Sequence, residues 1–135
     1  MIAHWKIDVL FVEDSPVDAF LLREGLSKLL AAGAALLQAE RLSEALAFVR
    51  QHTPDLILTD LNLPDSFGAE TLQALVKVAG DTPVLALVGN DTPEIQAQLR
   101  EAGASGQILK SDLMSPVLVE TIEHVLRCNH ADRVR

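Results

Sequence analysis

Cationic side chains are scarce in this sequence: 11 Lys and Arg stand against 19 Asp and Glu, for a formal net charge of −8. That balance argues against a nucleic-acid or anionic-membrane surface, both of which need clustered Lys and Arg. Cysteine is scarcer still. Cys128 is the only one, so no internal disulfide can form. A reducing compartment, the cytoplasm, is the expected setting. Long apolar runs are missing too. The longest run without a polar side chain is Leu29 to Leu37, far short of the roughly 20 residues that span a bilayer. Asp8, Glu13 and Asp14 interrupt any signal-peptide apolar region near the N-terminus. No dinucleotide-binding glycine fingerprint, P-loop, zinc-ligand spacing or catalytic Ser/His pair is present. His4, His52, His124 and His130 are scattered, and surface placement is expected for each.

What is present is a chain of 135 residues, 49% hydrophobic, enough for one domain with its own core. The expected domain covers 1–130, with 131–135 as a tail or the start of a linker; tail character begins at Asn129. Trp5 is expected to pack at the sheet edge. Short β-rich runs alternate with amphipathic stretches. Strands are expected at Ile7–Val12, Leu36–Ala39, Asp55–Thr59, Pro83–Val88 and Gln107–Leu109. The first helix is predicted from Pro16 to about Ala32, with Ala19, Leu22, Leu26 and Leu29 on one face. Ser15 is its N-cap, Pro16 its first position, and Asp18 stands in capping-box position. Further helices are expected over Ser43–Gln51 and Gly68–Ala79, from the Thr92-Pro93 cap to Gly103, and from the Ser115-Pro116 cap onward. Gly103 is expected at a left-handed helix end.

Five β/α pairs with continuous apolar strands (VLFV, LIL, VLALV) predict an α/β fold with a doubly wound, five-stranded parallel sheet and five flanking helices. In such sheets ligands bind beyond the carboxyl ends of the strands. Glu13 and Asp14 follow the first strand, Asp60 the third, and Lys110 the fifth. Three carboxylates and one ammonium are therefore expected at one edge. Crowded like charges repel, and a divalent cation relieves them; few hard oxygen ligands suit magnesium. Taken singly, each has a plainer reading: Asp14 helping Ser15 cap the first helix, Asp60 as a strand-ending turn residue.

The stretches VEDS (12–15), LTDLNLPDSFG (58–68), PVLAL (83–87) and GASGQILK (103–110) together resemble the receiver domain of bacterial two-component response regulators, over about residues 7 to 128. The resemblance implies a flavodoxin-like strand order of 2-1-3-4-5. It implies that Asp60 accepts a phosphoryl group from a phosphohistidine on a histidine kinase or phosphotransfer protein. By the same resemblance Asp14 and Asp60 bind Mg2+ directly, the backbone carbonyl of Asn62 is a third protein ligand, Glu13 holds metal-bound water, and Lys110 pairs with the phosphoryl oxygens. The domain would be a signalling module, not an enzyme turning over an external substrate. Candidate partners are a fused or separate output domain and a second copy of the chain, since homodimers often form in this family.

Three positions depart from the family pattern. Ser111 replaces the proline after the lysine, so no strong drive toward a cis peptide is expected. Val88 stands where the family has Ser or Thr, and Gln107 where it usually has an aromatic residue. In receivers the hydroxyl moves to bond the phosphoryl group and the ring fills the vacated space. A hydrogen bond to a charged group is worth about 1.5–3 kcal/mol, so its loss weakens the coupling of phosphate to shape by roughly ten- to a hundredfold. Backbone N–H groups at Gly89 and Asn90 remain to face a phosphoryl oxygen, and Thr92 offers a hydroxyl but is expected to cap a helix. The alternative expectation is a degenerate receiver that docks partners without phosphorylation. An aspartyl-phosphate hydrolase would want a second acid where Asn62 stands, and a flavin binder a Ser/Thr-rich loop where EDSPVDAF stands.

Overall fold

The computed structural model describes the backbone of residues 6–133 and the side chains of residues 6–128. Expectations for His4, Trp5 and the His130 side chain lie outside the described residues. In chain order the elements are β1 (Asp8–Val12), α1 (Pro16–Gly25), α2 (Ser27–Ala31), β2 (Ala35–Ala39), α3 (Leu42–Gln51), β3 (Leu56–Asp60), β4 (Asn62–Leu63), β5 (Ser66–Phe67), α4 (Ala69–Ala79), β6 (Val84–Val88), α5 (Pro93–Glu101), β7 (Gly106–Leu109), a 3-10 turn (Lys110–Asp112) and α6 (Pro116–Arg133).

The main sheet has the order β2-β1-β3-β6-β7 and every pairing in it is parallel. With the small β4/β5 hairpin set aside, this is the expected 2-1-3-4-5 order. Strand alternation divides the core into two layers. Val9, Phe11, Leu56, Leu58, Leu85 and Leu87 face α1, α2 and α6, meeting Leu22, Leu26, Leu29, Leu118 and Ile122. Leu10, Val12, Ile57, Val84, Ala86 and Val88 face α3, α4 and α5, meeting Ala45, Leu72, Leu75 and Leu99. The central strands β3 and β6 are buried at every position, which explains why they read as unbroken apolar runs.

Four details differ from the sequence reading. The first helix is not continuous to Ala32. It breaks at Leu26 (φ −96°, ψ 7°), and α2 follows as a separate turn-and-a-half. Apolar spacing survives the break, because Leu26 and Leu29 stay buried, so periodicity alone does not reveal it. The β4/β5 hairpin is an addition, pairing Asn62 with Phe67 and Leu63 with Ser66. So is the 3-10 turn that begins at Lys110. The last helix continues to Arg133, past the Asn129 at which a tail was expected. No cis peptide bond occurs among the described residues. Caps at Ser15 and Thr92 form as expected, accepting from the N–H groups of Asp18 and Ile95, and Gly103 has a positive φ of 102°.

Gly25 explains how α1 meets the far end of the chain. A Cβ there would overlap the Leu113 carbonyl oxygen and come within 2.8 Å of Leu118 Cδ2. The missing side chain lets α1 sit close to the segment that carries Lys110 into α6. Gly25→Ala would gain about 1 kcal/mol of helix propensity, but the backbone overlap costs more. A net loss of about 2 kcal/mol in a urea unfolding curve is expected; a stabilised variant would contradict this account of the contact.

Candidate functional site

The carboxyl ends of β1, β3 and β7 deliver Glu13, Asp60 and Lys110 to one pocket, and the first turn of α1 delivers Asp18. Lys110 Nζ lies 2.9 Å from Asp60 Oδ2, 3.2 Å from Asp18 Oδ2 and 3.8 Å from Glu13 Oε1. Carboxylate oxygens of Glu13, Asp18 and Asp60 all lie within 4.8 Å of one another. Lys110 reaches this point because β7 ends at Leu109 and the 3-10 turn starts the side chain over the sheet edge. Asp60 is the last residue of β3, and its Oδ1 accepts the Asn62 N–H at 3.2 Å.

The loop after Asp60 is held from several sides. The Leu61 carbonyl accepts the Gly68 N–H and the Thr71 hydroxyl at 2.8 Å each. Asp65, at the turn of the hairpin, accepts the Leu42 and Ser43 N–H groups at 2.8 and 3.0 Å. It thereby caps α3, whose own N-cap residue Arg41 provides no side-chain bond. Those N–H groups hold the Asp65 carboxyl below the usual carboxylate range.

Of the residues expected here, Glu13, Asp60 and Lys110 come together. Asn62 is exposed beside Asp60. Asp14 is exposed at the exit from β1 and stands outside the cluster, because Glu13 takes the inward direction at the strand end. A carboxylate not expected here, Asp18, joins the cluster. Its spacing from Ser15 fits a capping box equally well, so a local explanation had already absorbed it. Its side chain bonds Lys110 instead. Val88 is buried against the α3–α5 layer and offers no hydroxyl. Gln107 Nε2 donates to Asp91 Oδ1 at 3.2 Å, and Gln96 Nε2 donates to the same oxygen at 2.8 Å. Thr92 is committed to its cap. Gly89 and Asn90 join Asp60, Asn62, Val88 and Lys110 in lining a cleft of about 420 Å3. His52 and His124 are exposed.

Electrostatics make Glu13 the unsettled member. It is fully buried, and neither of its carboxylate oxygens has a hydrogen-bond partner. Burial, then the neighbouring Asp60, push its carboxyl up to about 8. For Asp60 burial acts upward as well, but hydrogen bonds at its carboxylate prevail and hold it below its ordinary value. For Lys110 burial acts downward, and the Asp60 hydrogen bond and charge overcome it, so the ammonium is held above its ordinary value. Two buried, unpartnered carboxylate oxygens beside two further carboxylates are a donor set of hard oxygens that fits a divalent cation.

A doubly wound parallel sheet with acids and one lysine at its carboxyl edge defines a class of α/β domains that bind ligands at that edge, and the comparisons narrow it. The model of the response regulator receiver domain matches residues 9–123, and the chain belongs to that family. It is 30% identical over 120 residues to the polar-differentiation response regulator DivK of Brucella ovis, covering 87% of this chain and 94% of DivK. It is 29% identical over 123 residues to the transcriptional regulatory protein DegU of Brevibacillus brevis, covering 89% of this chain and 50% of DegU. The chain thus spans about half the length of DegU and of other transcriptional regulators it matches. Among solved structures, the signal receiver domain of an HD domain-containing protein from Pseudomonas fluorescens superposes with a TM-score of 0.81 at 22% identity, over 96% of this chain and 93% of that one. No helix among the described residues is long and apolar enough to cross a membrane.

Glu13 fixes the sign of a pH effect. Because its folded value lies above its unfolded one, its contribution to stability is fully present below about pH 4.5 and is lost as pH rises through about 8. The lowered Asp60 acts in the opposite sense, but only as pH falls through the acidic range. With a chelator present, the wild-type protein is therefore expected to lose stability steadily between about pH 5 and 8. Glu13→Gln, neutral throughout, should show a flatter profile in urea unfolding; parallel profiles would refute the assignment.

Proposed function

We propose that this receiver domain is a phosphoacceptor: Asp60 takes a phosphoryl group from a phosphohistidine on a partner histidine kinase or phosphotransfer protein. The observation that carries the reading is the Lys110 ammonium 2.9 Å from Asp60 Oδ2, next to a buried Glu13 with no partner for either oxygen. An Asp60 carboxylate oxygen attacks phosphorus, the new O–P bond forms as the P–N bond breaks, and the imidazole nitrogen leaves with the bonding pair. Asp60 is suited to attack because its carboxyl stays ionised. Lys110 sets a fixed positive charge where the phosphoryl oxygens arrive. Mg2+, when bound, neutralises phosphoryl charge. Its protein ligands would be Asp14, Asp60 and the Asn62 carbonyl, with Glu13 holding its water. The domain turns over no external substrate, and its setting is the cytoplasm.

The output step is unusual in this reading. Val88 has no hydroxyl to follow the phosphoryl group, and Gln107 is tied to Asp91 rather than free to swing inward. The signal would run through the Gly89–Ala104 region to an output domain or to a separate partner. The same two side chains support a second reading, a degenerate receiver that docks partners without phosphorylation.

Labelled acetyl phosphate with Mg2+ separates the two. Wild type is expected to take up label, Asp60→Asn to take up none, and a chelator to abolish uptake. Lys110→Ala should slow uptake by about a hundredfold. A wild-type protein that stays unlabelled at millimolar donor and metal overturns the phosphoacceptor reading and favours the docking one.

A further inference from the structure

We propose that Asp18 is a positioning residue of the phosphoacceptor pocket, holding the Lys110 ammonium in place independently of Asp60. The inference rests on the phosphoacceptor reading and adds a residue to it.

The geometry is specific. Asp18 Oδ2 is 3.2 Å from Lys110 Nζ, across 92 positions of sequence. Asp18 sits in the first turn of α1, and its backbone N–H is engaged by Ser15 Oγ. Helix capping therefore uses the backbone of this residue and leaves its carboxylate available to the pocket. Lysine is a flexible four-carbon stem with a point charge at its tip. A partner on a separate element, α1, restrains that tip without help from the strand that carries Asp60. Asp60 is the partner that changes during the reaction: forming the acyl phosphate ties one of its oxygens to phosphorus and moves the negative charge onto the phosphoryl oxygens. Asp18 forms no bond in the reaction. Glu13 cannot play this part as well, since its nearer oxygen is 3.8 Å from Nζ and neither oxygen is hydrogen-bonded.

The arrangement has a chemical consequence. Acceleration by a fixed charge depends on the charge being in place before the reaction begins. An ammonium held by Asp18 needs no reorganisation as Asp60 turns from carboxylate to acyl phosphate. Gly25 supports this placement from the other end of the same helix, because its missing side chain allows α1 to approach the Leu113 carbonyl just beyond Lys110.

The test is a double-mutant cycle with a spectroscopic arm. Asp18→Asn is expected to slow label uptake from acetyl phosphate three- to tenfold at saturating Mg2+, and Asp18→Glu to recover most of the rate. In a Lys110→Ala background Asp18→Asn should cost nothing further, because its partner is gone. A persisting effect there would show Asp18 acting on its own and overturn the proposal. The spectroscopic arm needs no phosphorylation: the Lys110 ζ-ammonium 15N resonance, slowed in exchange by its ion pairs, should survive Asp60→Asn and vanish in Asp60→Asn with Asp18→Asn. Survival in the double variant, or loss in Asp60→Asn alone, overturns the proposal. Unlabelled wild type with the expected resonance pattern would count against the phosphoacceptor reading alone.

Discussion

One ammonium faces three carboxylates at the carboxyl edge of the sheet, and the local architecture is arranged around that imbalance. Lys110 bonds Asp60 and Asp18 directly and lies near Glu13. A single positive charge cannot balance three negative ones, and two of the three are substantially removed from water. The pocket answers in two ways. Glu13 is pushed toward its neutral form, and Asp60 is held ionised. Asp60 thus keeps its charge while a neighbour surrenders its own. A cation entering the pocket would reverse that concession and bring both acids into use.

The charge cluster and two of the departures from the family pattern are separate parts of the molecule. Glu13, Asp18, Asp60 and Lys110 all stand at strand ends or in the first helical turn. Val88 and Gln107 stand apart from that cluster. Val88 is packed in the core layer, and Gln107 belongs to a polar clasp in which Asp91 accepts from two glutamine amides. The loop beside the cleft is therefore tied to β7 and α5 by hydrogen bonds.

Much of this was legible in the sequence, for identifiable reasons. Strands β3 and β6 are buried on both faces, so their composition announces them. Ser15 and Thr92 begin helices with the proline that a first turn accepts, and Gly103 ends one. Glu13, Asp60 and Lys110 could be placed together because strand order dictates where strand ends meet. The misses have physical causes as well. The break at Leu26 preserves burial of Leu26 and Leu29, so the apolar stripe runs through it. Asp18 satisfied a local capping rule, and only the three-dimensional approach of Lys110 shows its other bond. The final helix continues past Asn129 because nothing in its sequence forbids helix there.

Asp65 has a wider consequence. Its carboxylate joins the hairpin after β3 to the first N–H groups of α3, two elements separated by more than twenty positions of sequence. The segment that follows Asp60 is thus riveted to a helix that precedes β3 in the chain. Lengthening or shortening the turn by even one residue would withdraw the rivet and free both pieces together. Diversity in this protein's lineage should accordingly accumulate elsewhere, along the exposed strand β2 or the far end of α6, while the span from 60 to 68 keeps its length.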